Sequence, residues 1–221
     1  MSYLLRLVVP DRPGTLGAVA TALGTAGADI VSLDVLERGD GFAVDDVVVD
    51  LPAGGLPDSL ISAAQTVDGV RVESLRPFSG ALDTHRELDL LDELARAPEG
   101  TAGKLLAAEL PRVFSCSWAA VLDCAGATWD VVTASEAAPS FEGVDLPWMP
   151  VTTPVLLPSD DAWVPERWRE MAIEMMATPY GGPGCAVVLG RSGGPAFRRS
   201  ELLRLAHLAG IASTVTSLPP V

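Results

Sequence analysis

A chain of 221 residues that is 48% hydrophobic and 20% charged has apolar surface for one large core or two small ones, and its short apolar runs exclude a disordered polymer. Its net charge of −14 is shared by both halves, with 11 acidic against 5 basic residues in 1–80 and 18 against 10 in 81–221, and Lys104 is its single lysine. That balance excludes the Lys/Arg stripe needed to neutralise phosphates, so nucleic acid is not an expected partner and solubility is the plain reading of the acidic surface.

The start, Met1 to Pro10, has no basic n-region, and no apolar run reaches the roughly 18 residues of a membrane span. A cytoplasmic protein without membrane contact is the expectation. Cys116, Cys124 and Cys185 lie outside CxxC spacing, which points to reduced thiols rather than a disulfide framework or a zinc site.

Residues 3–9 predict a buried or half-buried strand, stopped by Pro10-Asp11-Arg12-Pro13-Gly14. A helix follows, with Thr15 as N-cap, Leu16, Val19, Ala20 and Leu23 on one stripe, and Gly24 and Gly27 marking its end. Asp29–Glu37 and Phe42–Leu51 are strand-like and joined by a Gly-rich hairpin turn at 38–41. Leu56, Leu60, Ile61 and Ala64 share the face of a second helix, which ends near Asp68-Gly69, and Val70–Leu75 is a fourth strand. The order βαββαβ is the ferredoxin-like split arrangement, an antiparallel sheet with both helices on one side and a bare opposite face. Such a sheet needs protection, and pairing of two copies supplies it. Pro77 to Gly80 reads as a linker, so the expected domains are 1–77 and 84–221.

The second part opens with a helix over Thr84–Ala97, carrying Leu88, Leu91, Leu94 and Ala95, and another capped by Thr101 with Leu105, Leu106 and Leu110. Strands are predicted at Ser117–Asp123 and Thr128–Ala134, with Cys124 to Ala127 as the turn, and at Val151–Leu157 and Ala186–Leu189. Pro139 to Pro150 is irregular. Pro165 begins a helix that displays Trp168, Met171, Ala172 and Met175, and the last helix follows Phe197, stripes Leu202, Leu205, Ala206 and Ala209, and ends before Pro219-Pro220. The fold class is therefore α+β: a ferredoxin-like domain followed by an α/β domain with a central antiparallel sheet.

Val8 to Gly17, with Asp11-Arg12-Pro13-Gly14-Thr15-Leu16 at its centre, resembles the opening of an ACT domain, where an apolar strand passes through D-x-P-G-x-L into helix one. Gly27-Ala28-Asp29-Ile30 sits where many ACT domains have G-x-N-I, and the resemblance covers roughly residues 3–76. It implies a regulatory module that pairs side by side as a homodimer and holds a small molecule, an amino acid, between the first turn of one copy and the second-strand start of the other. The implied site residues are Asp11, Arg12, Pro13, Gly14, Thr15, Leu16, Asp29 and Ile30. The chemistry stands apart from the name. A helix beginning just after Gly14 leaves unpaired N–H groups and a positive dipole end suited to a carboxylate. Asp29 has two readings, an acceptor for an ammonium group or the cap of a turn, and Arg12 has two, a partner for the carboxylate or a solvated surface residue.

Gly190 to Phe197, followed by the striped last helix, is similar to the final strand, turn and helix of GAF sensor domains, although the N-K-x-F-x-D-E signature of their cyclic-nucleotide binders is missing. All five tryptophans, Trp118, Trp129, Trp148, Trp163 and Trp168, lie in this half, where packing is favoured over a ligand pocket. Gly181 to Gly184 lacks the Lys-Ser/Thr ending of a phosphate loop and reads as a turn. His85 and His207 sit on predicted helices outside any triad or metal context, and no carboxylate pair stands out. The expectation is a non-catalytic regulatory protein without metal or cofactor; a purely structural dimer and an enzyme with a pocket in the Trp-rich half are the alternatives.

Overall fold

In the N-terminal part, apolar residues at alternate positions and Gly-containing turns produce β1 (Ser2–Pro10), α1 (Thr15–Thr25), β2 (Asp29–Gly39), β3 (Phe42–Asp50), α2 (Pro57–Gln65) and β4 (Arg71–Pro77). The computed structural model describes residues 1–78, 86–125, 128–182 and 184–217. It divides into two compact units, Met1–Leu82 and Asp83–Val221.

The first unit is a four-stranded antiparallel sheet of order β2-β3-β1-β4. Leu5, Leu7 and Val9 of β1 and Ala43, Val47 and Val49 of β3 share a core with Val19 and Leu23 of α1 and Leu60 and Ala64 of α2. On the other face Leu4, Val8, Val44 and Val48 are buried as well, and Arg6, 1% exposed, forks onto Asp46 through two 2.8 Å bonds. The expected bare face is thus not bare along the two central strands. Exposed apolar residues lie instead on the edge strand β2, at Val31, Leu33 and Val35.

The first helix differs in detail from its sequence pattern. Gly14 holds the N-cap position, Ala20 is exposed, and the buried stripe is Thr15, Val19 and Leu23. Leu56 precedes α2 rather than joining its face and is exposed. Pro77 closes β4, and the N–H of Phe78 still bonds to Ser2 O, so the paired edge runs into the expected linker; Ser79 and Gly80 lie outside the described residues.

The second unit contains α3 (Arg86–Arg96), α4 (Ala102–Val113), β5 (Trp118–Ala125), β6 (Thr128–Ala134), β7 (Val155–Leu157), α5 (Glu166–Glu170), β8 (Glu174–Pro179), β9 (Ala186–Arg191) and α6 (Arg199–Ser217). Its antiparallel sheet has the order β6-β5-β9-β8-β7. Side-chain alternation gives this sheet two covered faces. Ala119, Val121, Met176, Val187 and Leu189 meet α3, α4 and α6 on one side. Trp118, Ala120, Leu122, Met175, Ala177 and Val188 meet Phe141 and Leu146 of the irregular segment, Val164, and Trp168 of α5 on the other.

The largest correction concerns residues 166–179. The helix predicted through Met175 stops at Glu170, Ala172 takes a left-handed φ of 46°, and the chain re-enters the sheet as β8 between β7 and β9. Met, Ala and Glu favour a helix, but two ladders of backbone hydrogen bonds override that preference. β7 is correspondingly confined to its last three predicted residues. In α3 the buried pair is Leu90 and Leu94, while Leu88 and Ala95 point outward. Thr101 stands at the N-cap of α4, yet its hydroxyl donates back to Pro98 O and caps no N–H. Thr84 and His85, the turn residues Gly126 and Ala127, Pro183 of the Gly-rich turn and the Pro219-Pro220 stop lie outside the described residues.

Candidate functional site

β1 cannot continue through Pro10, so the chain turns: Asp11 N–H bonds to Gly41 O, Arg12 N–H to Pro10 O, and Gly14 adopts φ 92°. No atom lies within 4 Å of a Cβ built on Gly14, so its backbone conformation, not crowding, is what calls for glycine. Thr15 does not cap α1. Its hydroxyl donates 3.1 Å to Arg12 O, and the N–H groups of Leu16 and Gly17 meet no acceptor among the described residues. The turn therefore presents bare amides at a positive helix end.

Leu16, but not Gly17, lines a cavity of 260 Å³ whose other walls are Val9, Pro10, Asp11, Arg12, Pro13, Gly14, Thr15, Val35, Arg38, Ala43 and Asp45. Two exposed ion pairs flank it: Arg38 with Asp11 at 3.2 Å and Arg12 with Asp68 at 3.3 Å. Pairs this exposed contribute at most about 1 kcal/mol and rearrange readily.

Asp45 is of another kind. It is 0% exposed, and neither carboxylate oxygen has a hydrogen-bond partner among the described residues. Its register neighbours are Leu7 on β1 and Val35 on β2, which places it on the helix-covered face of the sheet, under the first turn of α1. Burial pushes its pKa up; Arg38 opposes this, and Asp11 and Asp46 add to it.

A carboxyl that holds its proton more tightly when folded makes stability fall as pH rises from the ordinary carboxylate value through the raised one. Above that window the fold carries an unpaired buried charge. Asp45→Asn is accordingly expected to stabilise the first unit by about 1–3 kcal/mol at pH 7, with the difference closing below the ordinary carboxylate value. Amide hydrogen exchange on β1 and β3 reads this directly; an equal or lower protection in the variant at pH 7 contradicts it.

Six of the eight residues named from the sequence, Asp11 to Leu16, line this one cavity. Asp29 and Ile30 do not. They pair with Asp50 and Val49, at the end of the sheet marked by Ser2 rather than Pro10, and β1 separates those ends by about 26 Å. Val35, Arg38, Ala43 and Asp45 were missed. Asp45 carried a readable signal, since it occupies an apolar-face position in the alternation Ala43, Asp45, Val47, Val49.

In the second unit Trp118 and Trp168 are 0% exposed, and Trp118, Phe141 and Trp168 contact one another edge-on or tilted at 5.2–6.5 Å. That geometry is core packing. His207 lines a 510 Å³ groove between α3 and α6 with Leu88, Leu91, Leu203 and Ile211. Among the described residues no group of three His, Cys, Asp or Glu side chains is placed to hold a metal, and no helix is long and apolar enough to cross a membrane. The three cysteines are free, and burial raises the pKa of Cys185, whose Sγ donates to Asp123.

No curated protein matches the chain. Among solved structures it is similar to a formyltetrahydrofolate deformylase from Pseudomonas putida KT2440, at 15% identity over 43% of this chain and 38% of that one, TM-score 0.30. It is also similar to GqqA, described as a novel type of quorum-quenching acylase, at 20% identity over 35% and 43%, TM-score 0.26. An unknown protein from Galdieria sulphuraria shares 14% identity over 97% of this chain and 90% of that one, TM-score 0.33. The matched part of the chain thus spans about two fifths of the first two structures. Within the sequence, residues 3–69 match the family model of the ACT domain.

Proposed function

We propose that this chain is a non-catalytic regulatory protein whose ACT domain binds an amino acid at the 260 Å³ cavity and works as a homodimer. The observation that carries the reading is the convergence of Asp11 to Leu16, with unpaired amides at the start of α1, on one concave site. Such a site takes a carboxylate, and the cavity lies below the roughly 300–1,000 Å³ of pockets for drug-sized ligands, so the ligand is small.

The edge strand β2 supports the pairing. It has one sheet neighbour, β3, and exposes Val31, Leu33 and Val35. Antiparallel pairing of two β2 strands about Asp34 sets Asp29 of the second copy opposite Gly39 of the first. That brings the distant sequence-named residues Asp29 and Ile30 towards Arg38 at the rim of the cavity. The same edge favours a second reading, a dimerisation module without ligand.

The second unit is proposed as the GAF-like sensor or output domain. Two leading helices, a five-stranded antiparallel sheet and the β9-turn-α6 ending support this. The protein is proposed to act in the cytoplasm.

Calorimetric melting of the full chain against each standard amino acid at millimolar concentration tests the reading. At least one is expected to raise the Tm of the first unit, by mass action worth about 2.7 kcal/mol at a hundredfold excess over Kd. Light scattering is expected to give a dimer. A dimer that no amino acid stabilises leaves the dimerisation module as the surviving reading.

A further inference from the structure

Resting on that reading, we infer that Asp45 is the anchor for the ligand's ammonium group, so that one copy of the chain holds both ends of a small zwitterion. The observation is the juxtaposition of two unmet needs in one cavity. At its rim stands the Leu16 amide, without an acceptor among the described residues, with Arg12 and Arg38 nearby. On the sheet side stands a carboxylate, fully buried, with both oxygens unpartnered.

A buried carboxylate in that condition costs the fold free energy, and such a cost is kept where a ligand satisfies it. An ammonium donates up to three hydrogen bonds and carries the charge Asp45 lacks a partner for. Arg38 does not fill this role: it is engaged with Asp11 at 3.2 Å, and no cation lies within ion-pair distance of Asp45 among the described residues. The remaining wall is mixed: Val9, Pro13, Leu16, Val35 and Ala43 have no polar side-chain atoms, whereas Asp11 and Thr15 do. The ligand class is therefore a small amino acid. Asp29 of the same copy is exposed at the far end of the sheet and does not reach this cavity.

The test uses the full chain, Asp45→Asn and Asp58→Asn, with calorimetric titration of glycine, alanine, serine, valine and leucine, their N-acetyl forms, ethanolamine, and propionate. Circular dichroism establishes that both variants are folded. A free amino acid is expected to bind the unmodified chain, its N-acetyl form to bind at least about tenfold more weakly, Asp45→Asn to lose at least about tenfold in affinity, and Asp58→Asn, an exposed position on α2 outside the cavity, to retain it.

Equal affinity in Asp45→Asn, binding of N-acetyl forms or propionate as tight as that of free amino acids, or failure of every ammonium-bearing probe to bind overturns the inference. The two levels fail separately. Binding of propionate alone spares the carboxylate end at α1 and removes the role of Asp45. Binding of ethanolamine but no amino acid, lost in Asp45→Asn, keeps Asp45 as an ammonium anchor and removes the amino-acid reading.

Discussion

Gly190→Ala is expected to destabilise the second unit by about 3 kcal/mol or more, a large share of the roughly 5–15 kcal/mol that keeps a domain folded. Gly190 pairs across the sheet with Trp118, and a Cβ built on it would sit 2.0–2.4 Å from three indole atoms. Trp118 cannot swing aside, because it is 0% exposed and braced by Phe141 and Trp168. The backbone of Gly190 is ordinary strand, so the clash, and not a need for positive φ, is the cause. All five tryptophans belong to this unit, so their fluorescence follows its unfolding separately from the first unit in a urea titration. A midpoint within error of the unmodified chain would show that the indole accommodates the methyl. The double variant Gly190→Ala/Trp118→Phe should regain part of the loss, since the smaller ring vacates the space.

Glu201→Ala is expected to cost about 3–5 kcal/mol in the same unit, because it leaves a buried guanidinium without its counter-charge. Arg191 and Glu201 are 1% and 5% exposed at the side chain and 2.8 Å apart. Arg191 also donates to the carbonyls of Phe114 and Pro195 and lies 4.1 Å over the Phe197 ring, so its position ties β9 to the turn before α6. Glu201 does a second thing: its other oxygen accepts the N–H of Arg198 at 2.9 Å, closing the first turn of α6. Glu201→Gln keeps hydrogen-bonding atoms in place but loses the charge, and should fall between the two. Tryptophan fluorescence against urea again reads the order; alanine and glutamine variants of equal stability would mean that the charge contributes nothing.

The legible parts of this chain were those where one local rule decides. Pro10, Pro13 and Gly14 stop a strand and start a helix regardless of what packs around them, so the turn and six residues that line the cavity beside it were readable. Thr15 and Thr101 misled because a hydroxyl before a helix has two nearby uses, and both residues spend theirs on a carbonyl three residues back. Residues 171–179 misled because Met, Ala and Glu form helices well in isolation, whereas here β7 and β9 offer backbone partners on both sides. Leu88 and Leu90 competed as the buried member of α3, and only the neighbouring helices decided between them.

Composition and short-range sterics, which act within a few residues, were enough for a mixed α and β chain with antiparallel sheets, for its acidic charge balance and for the cornered start of α1. It took the folded chain to bury Asp45 beside that corner without a hydrogen-bond partner among the described residues and to set Asp29 a sheet's length away in the same copy. Both facts depend on strand order and register, which join residues far apart in the chain, and no local pattern carries them.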